Sequence, residues 1–191
     1  MKNKFLFTIT LFMVFVFTAG LQAENIKYGD NWGKQGYNLV QSKATYANVV
    51  YSVNEFNMDL MQINDENMHV ITMPGVMLPN EVGAPNLPGD GKFIAIPQGA
   101  TAVLEIVSMQ TETYQNINVV PSHNIPWDND NSPLIYEKNS EIYNTNGFYP
   151  AEPVKLSEVD QLRGVDFVIL GITPFQYNPV TKELVTNQYQ I

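Results

Sequence analysis

Cysteine is absent from the chain. Without it there is no thiol nucleophile, no thiolate zinc site and no disulfide to staple the fold, so a hydrophobic core must suffice. Arginine occurs once, as Arg163, and histidine twice, as His69 and His123, with neither histidine at a metal-ligand spacing from the other. No serine stands in a Gly-x-Ser-x-Gly context, which leaves a serine triad without support. Basic residues are scarce: 10 Lys and Arg face 19 Asp and Glu, a formal charge of −9. Such a balance repels phosphate backbones, and the chain is read as having no nucleic-acid partner. A helical period of apolar residues is also nearly missing.

What is present begins with a targeting segment. Lys2 and Lys4 precede the apolar run Phe5 to Phe17, and Ala19, Gly20 and Ala23 offer small residues at a cleavage point. The run falls short of the roughly 20 residues needed to span a bilayer. Residues 1–23 are therefore read as a signal peptide cleaved after Ala23, implying a secreted or cell-surface protein with no membrane attachment after cleavage. The remaining residues, 24–191, suit one domain. They divide into an N-terminal extension, 24–46, and a sandwich domain, 47–191. The chain stops inside a strand-like run at Ile191, which reads as truncation of a longer precursor.

Short alternating apolar runs are broken every 8–15 residues by Gly, Pro, Asn or Asp. This texture predicts an all-β fold, an antiparallel β-sandwich of jelly-roll type with little helix. Val49, Tyr51 and Val53 are expected on one face, with Val50, Ser52 and Asn54 on the other. Residues 58–63 and 68–73 should pair across the polar turn 64–67, and 93–97 should pair with 101–108 across Gln98–Ala100. The Pro- and Gly-rich stretch 73–91 reads as a surface connection and Ile117–Val120 as a strand ending at Pro121. Ser157–Gln161 reads as a single helical turn. The last hairpin is placed over Val165–Thr173, Phe175–Tyr177, the turn Asn178–Lys182 and a returning strand from Glu183 onward.

Residues 121–133 carry three prolines and several Asn and Asp, the mark of a long exposed loop. Trp127 within it is either a core plug or an exposed anchor for a partner's pocket. Asp128, Asn129, Asp130, Asn131 and Ser132 place oxygen donors as calcium loops do. Pro133 sits where the turn glycine belongs, and Asn139 replaces the final bidentate Glu, so these residues are read as turn formers. No metal and no cofactor is expected.

Several ordered motifs carry a resemblance. Gly83-Ala84-Pro85-Asn86-Leu87-Pro88 is followed by Phe93–Pro97, Val103–Ser108, Pro121-Ser122, Phe148-Tyr149-Pro150 and Arg163-Gly164, and last by Gln176-Tyr177-Asn178-Pro179-Val180-Thr181-Lys182. Over residues 47–190 this set resembles the prodomain of the gingipain-like (C25 family) secreted cysteine endopeptidases. The resemblance implies a propeptide that assists folding and occludes the protease cleft until removed. Its partner would be a downstream catalytic domain in cis, carrying the Cys and His that this chain lacks. It makes Ser122, His123, Asn124, Ile125, Pro126, Trp127, Asp128, Asn129 and Asp130 the inhibitory loop. Gly83, Pro85, Pro88, Arg163, Gly164, Tyr177, Asn178 and Pro179 become structural motif positions. Arginine-specific members place an arginine in the loop; here Trp127-Asp128 stands there instead. The competing reading is a non-inhibitory surface module that binds glycan or protein.

Overall fold

The computed structural model describes residues 23–30, 32–76, 80–124 and 132–191. The signal peptide read over 1–23 lies outside the described residues but for Ala23. The fold is an antiparallel β-sandwich of three sheets. The first sheet orders β1 (Ala23–Lys27), β4 (Glu55–Ile63) and β5 (Glu66–Thr72) side by side. The second contains β6 (Asp90–Ala95), β10 (Val165–Ile172) and β8 (Val154–Leu156), with β9 (Asp160–Leu162) also on β10. The third runs β11 (Phe175–Asn178), β12 (Glu183–Gln190), β3 (Ala47–Ser52) and β2 (Gly36–Ser42), and β7 (Ser108–Tyr114) pairs with β12. One four-residue helix, α1 (Ser140–Tyr143), is the only helix among the described residues. Residues 24–46, read as an extension, supply β1 and β2, which pair with β4 and β3.

The sheets close on one core. Tyr51, Phe56, Ile71, Leu170, Ile172, Phe175, Tyr177, Leu184 and Tyr189 are all nearly solvent-free and come from every sheet. Phe56 and Phe175 meet edge to face with centroids 5.0 Å apart, a preferred aromatic geometry. Side chains of β3 alternate as the sequence suggests, yet both of its faces are buried. β12 is likewise covered on both faces, so its polar residues must be satisfied internally. Asn187 does this by accepting from the Thr111 hydroxyl at 2.8 Å, and Gln188 by accepting from Ser52 at 2.7 Å.

The β4–β5 hairpin closes as expected, although its turn is the two residues Asn64 and Asp65 rather than 64–67. Both have positive φ, 49° and 63°, the conformation a two-residue hairpin loop requires and Asn and Asp tolerate. The Phe175–Lys182 hairpin also forms, as β11 and β12.

Five local expectations are corrected in whole or in part. Residues 93–97 do not pair with 101–108: β6 pairs with β10 over six residue pairs, while Ser108 onward pairs with β12 over seven. β10 is not part of the last hairpin but lies in a different sheet from β11. Ser157–Gln161 forms no helical turn; part of it becomes β9, and the helix forms at 140–143 instead. The 73–91 connection is a surface one only in part, at the exposed Pro74, Gly75, Glu81 and Val82. Gly83 to Gly89 is buried except for the half-buried Asn86, since its backbone finds partners on the 117–122 run; that run holds isolated bridges at Val119 and Pro121 and not the strand expected at Ile117–Val120.

Candidate functional site

The candidate site is the loop 122–133, and its geometry follows from the two stems that hold it. Ile125, Pro126, Trp127, Asp128, Asn129 and Asp130 lie outside the described residues, as do four of the five positions of the calcium reading, Asp128 to Asn131. The stems and their surroundings are described.

The incoming stem is the run 117–122, wedged between β5 and the 83–86 segment. On one side the His69 amide donates to the Asn118 carbonyl at 2.6 Å, and the Val120 amide donates to the His69 carbonyl at 3.0 Å. On the other, Asn86 donates to Val120 at 2.8 Å, Ser122 to Ala84 at 2.7 Å and Gly83 to Ser122 at 2.8 Å. Pro85 and Pro121 face each other in this second pairing and lack amide hydrogens, so it stays a single bridge rather than a ladder. Val119 and Val120 are buried beneath it. Ser122 is buried too, its hydroxyl donating to Asn86 Oδ1 at 3.3 Å. His123 is half-buried with its ring edge-on to Tyr136 at 5.2 Å, and Asn124 is exposed.

The outgoing stem, 134–139, docks on the tip of the β4–β5 hairpin. The Asn64 side-chain amide donates to the Tyr136 carbonyl at 3.0 Å, and Lys138 Nζ meets Glu66 Oε2 at 2.6 Å. The Lys138 hydrogen bond and charge hold the Glu66 carboxyl below the usual carboxylate range. Tyr136 packs on the small cluster of Ile63, Met68 and Val120. Asn139 then closes the stem against Gly83, its amide donating to the Gly83 carbonyl at 2.9 Å. Asn139 also caps α1, its side chain accepting from the Glu141 amide at 3.0 Å. From α1, the Tyr143 hydroxyl donates to the Val119 carbonyl at 3.0 Å and ties the helix to the incoming stem.

Five of the motif residues meet this frame. Gly83 has φ of +83°, and a Cβ there would lie 3.1 Å from both the Asn139 amide and the Glu137 carbonyl. Pro85 faces Pro121. The buried Tyr177 hydroxyl donates to the Ile117 carbonyl at 3.1 Å, and burial pushes its pKa up to about 12. Asn178 folds the 179–182 turn by accepting from the Val180 and Thr181 amides, at 3.0 and 3.2 Å. Pro179 is buried within that turn, and Lys182 at its end reaches Asn118 Oδ1 at 2.9 Å. Pro88 is buried elsewhere in the 83–89 run, and Arg163 and Gly164 form the exposed turn between β9 and β10.

His69, Asn118, Asn139 and Tyr143 belong to the frame and do not stand out in the sequence. Asn139 alone carried a readable signal, since Asn-Ser-Glu-Ile places a cap before an acidic first turn. The Asn118 amide donates to His69 Nδ1 at 3.0 Å, which requires a lone pair on that nitrogen. Burial lowers the His69 pKa more than the adjoining Asn118 backbone raises it. Among the described residues no cluster of three His, Asp or Glu could hold a metal ion. The frame has no nucleophile paired with a base; what it provides is fixed loop ends.

Comparison with known proteins places the chain in a family. Lys-gingipain of Porphyromonas gingivalis is 29% identical over 151 residues, covering 74% of this chain but 9% of that protein. Gingipain R2 of the same species is 30% identical over 136 residues, covering 68% of this chain and 18% of that protein. The chain thus spans a small fraction of the relatives' length. The structure described as the complex of P. gingivalis RgpB pro- and mature domains superposes with a TM-score of 0.75 at 24% identity, over 81% of this chain and 82% of that one. A structure of gingipain K from P. gingivalis, described as giving insight into its zymogenic latency, superposes with a TM-score of 0.71 at 23% identity, over 88% and 96%. These two establish the shared fold. The Propeptide_C25 profile matches residues 32–189, so the chain belongs to the C25 propeptide family.

Proposed function

We propose that the chain is the propeptide of a secreted or cell-surface gingipain-like cysteine endopeptidase precursor, and that it acts as a folding aid and steric inhibitor. The observation that carries this reading is the convergence of both stems of the 122–133 loop on one buried frame. A loop held at both ends loses little entropy when it docks, and its own prolines reduce that loss further. The two solved structures, a complex of RgpB pro- and mature domains and a gingipain K structure bearing on zymogenic latency, support a catalytic domain as the partner. Among the described residues no helix is long and apolar enough to cross a membrane.

In this mechanism the sandwich lays the loop across the cleft with Trp127 as its anchor, and water and substrate are kept from the catalytic groups. The test is inhibition in trans. The purified chain should inhibit a mature gingipain-like protease. Trp127→Ala should weaken that inhibition about thirtyfold, the cost of truncating a buried interface aromatic at about 2 kcal/mol. Arg163→Ala should leave inhibition unchanged. If Arg163→Ala abolishes inhibition and Trp127→Ala does not, the loop is wrongly assigned. If the chain inhibits no member of the protease family, the propeptide role as an inhibitor fails.

A further inference from the structure

The third sheet opens at one place. Over its last residues β12 lies between two neighbours: Tyr189 and Gln190 face Tyr51 and Val50 of β3 on one edge, and Met109 and Ser108 of β7 on the other. Val49 and Ile191 then exchange both backbone hydrogen bonds at 2.8 Å, and the Val107 amide donates to the Gln190 carbonyl at 2.8 Å. Both neighbours run on past this point, β3 back to Ala47 and the other edge back through residues 106–101. A cleft of about 570 Å³ opens between them. Strands that flank a third stand two interstrand spacings apart, roughly 10 Å, so the opening is one strand wide.

The cleft is built as a strand site. Its floor is the inner face of the second sheet, where Ile94 is joined by the buried Val168 and Leu170. Tyr46 and Ala47 line one wall, and Ala102 and Leu104 the other. The second wall alternates as an extended strand does, with Ala102 and Leu104 half-buried and Thr101, Val103 and Glu105 exposed. Yet among the described residues 101–106 make no backbone hydrogen bond. Backbone groups along one strand edge repeat every second residue, so those of Val103 and Glu105 point as the Val107 amide does, into the cleft. By the same rule the amide and carbonyl of Ala47 follow those of Val49 and face them across the gap.

We propose that this cleft is an acceptor slot for one β-strand, and that its occupant is the stretch of the precursor joining Ile191 to the catalytic domain. Direction and pattern identify the occupant. β12 points down the slot, so a chain continuing it enters antiparallel to both walls without a turn. Tyr189 and Ile191 pack on the core, so the second and fourth residues beyond Ile191 meet Ile94, Val168 and Leu170 and should be apolar. The 101–106 wall accommodates about six residues, roughly 20 Å of strand. The inference rests on the function proposed above, which puts a catalytic domain in cis after the propeptide. A junction seated in the sheet makes that domain leave the sandwich from one fixed place, which raises the effective concentration of its cleft at the 122–133 loop.

Amide exchange and denaturation are compared in the chain and in the chain extended by about eight further precursor residues, enough to fill the slot. Extension should slow exchange at Ala47, Val103 and Glu105 by about tenfold or more and raise the unfolding midpoint. Glu105→Pro separates pairing from fold. Its amide has no partner in the shorter chain, so the variant should unfold there at an unchanged midpoint, and in the extended chain it should remove the gain. Exchange at Ala47 and Val103 that extension leaves unchanged overturns the proposal, as do charged side chains at the second and fourth positions after Ile191. So does a Glu105→Pro variant that lowers both midpoints equally, since that amide would then serve the fold itself. Protection in the shorter chain that grows with protein concentration puts a second copy in the slot, and likewise overturns it. No protease enters these measurements: a chain that inhibits nothing sinks the inhibitor reading and leaves the slot standing, and an unprotected slot leaves the inhibition test untouched.

Discussion

The two ends of the sandwich are built on different physics. At the core end, Tyr51, Phe56, Leu170 and Phe175 pack apolar surface from three sheets, and each is essentially solvent-free. At the loop end, the 117–122 stem leaves the main core after Ile117 and Val119, and beyond them the stems are held mainly by hydrogen bonds, a cap and one ion pair over a small apolar cluster of Ile63, Met68 and Val120. Apolar burial contributes about 25 cal/mol per Å² and dominates global stability, whereas a hydrogen bond adds about 1 kcal/mol net. The core end should therefore set whether the chain folds, and the loop end whether the loop stays in place.

The largest expected effect lies at the core. Phe175→Ala removes the edge-to-face contact with Phe56 and leaves a cavity among fully buried neighbours. It should cost about 3–5 kcal/mol of unfolding free energy, read by chemical denaturation. A loss under about 1 kcal/mol would mean the core collapses around the gap, and the contrast between the ends would fail.

Gly83→Ala should come next, at about 2 kcal/mol. A side chain at φ +83° is strained by about 1–2 kcal/mol before contacts are considered. The added Cβ also presses on backbone atoms of Glu137 and Asn139, which cannot swing aside as a side-chain tip would. The signature that separates it from Phe175→Ala is where amide exchange accelerates. Gly83, Ser122 and Asn139 amides should lose protection well before those of β3 and β12 do.

Asn139→Ala is smaller, about 1 kcal/mol, the usual cost of a lost helix cap. α1 is one turn long and has no buried residue, so its unwinding should not propagate to the core. The same substitution frees the Tyr143 tether to Val119. If it lowers global stability as much as Phe175→Ala, the two ends form one cooperative unit and the comparison is wrong.

The uneven legibility of the sequence follows the same division. Core strands announce themselves by alternation, as in Phe56, Met58 and the β4–β5 turn at Asn64-Asp65, because burial and pleat share a period of two. The loop frame does not, since its contacts join residues far apart that carry no pattern: Gly83 with Asn139, His69 with Asn118, Tyr177 with Ile117. Residues 93–97 and 101–108 look like a hairpin locally, and only the availability of β10 and β12 decides otherwise. The Pro-Gly run 83–89 reads as surface because its composition forbids a ladder. Its burial becomes affordable only through the matching gaps at Pro121 and the partners on 120–122.

The smallest effect, and the sharpest probe of the comparison, is the response of the stem to acid. His69 Nδ1 accepts the Asn118 amide, so protonating that nitrogen breaks a stem hydrogen bond. Its native pKa is lowered, chiefly by burial, relative to the unfolded value of about 6.5. A depressed histidine pKa means the unfolded chain binds the proton more readily. The contribution is therefore fully present above about pH 6.5 and is lost as pH falls through the lowered native value. Glu66 does not compete in that window, because its own pKa is lowered by Lys138 and it stays charged. Lys182, which reaches Asn118, has a pKa lowered chiefly by burial. Exchange of the Asn118 and Val120 amides should quicken between pH 7 and 5 beyond the intrinsic rate change, while Tyr51 and Tyr189 amides do not. His69→Gln should abolish this difference. If the core amides quicken in step with the stem, opening is global and the loop end has no separate stability to lose.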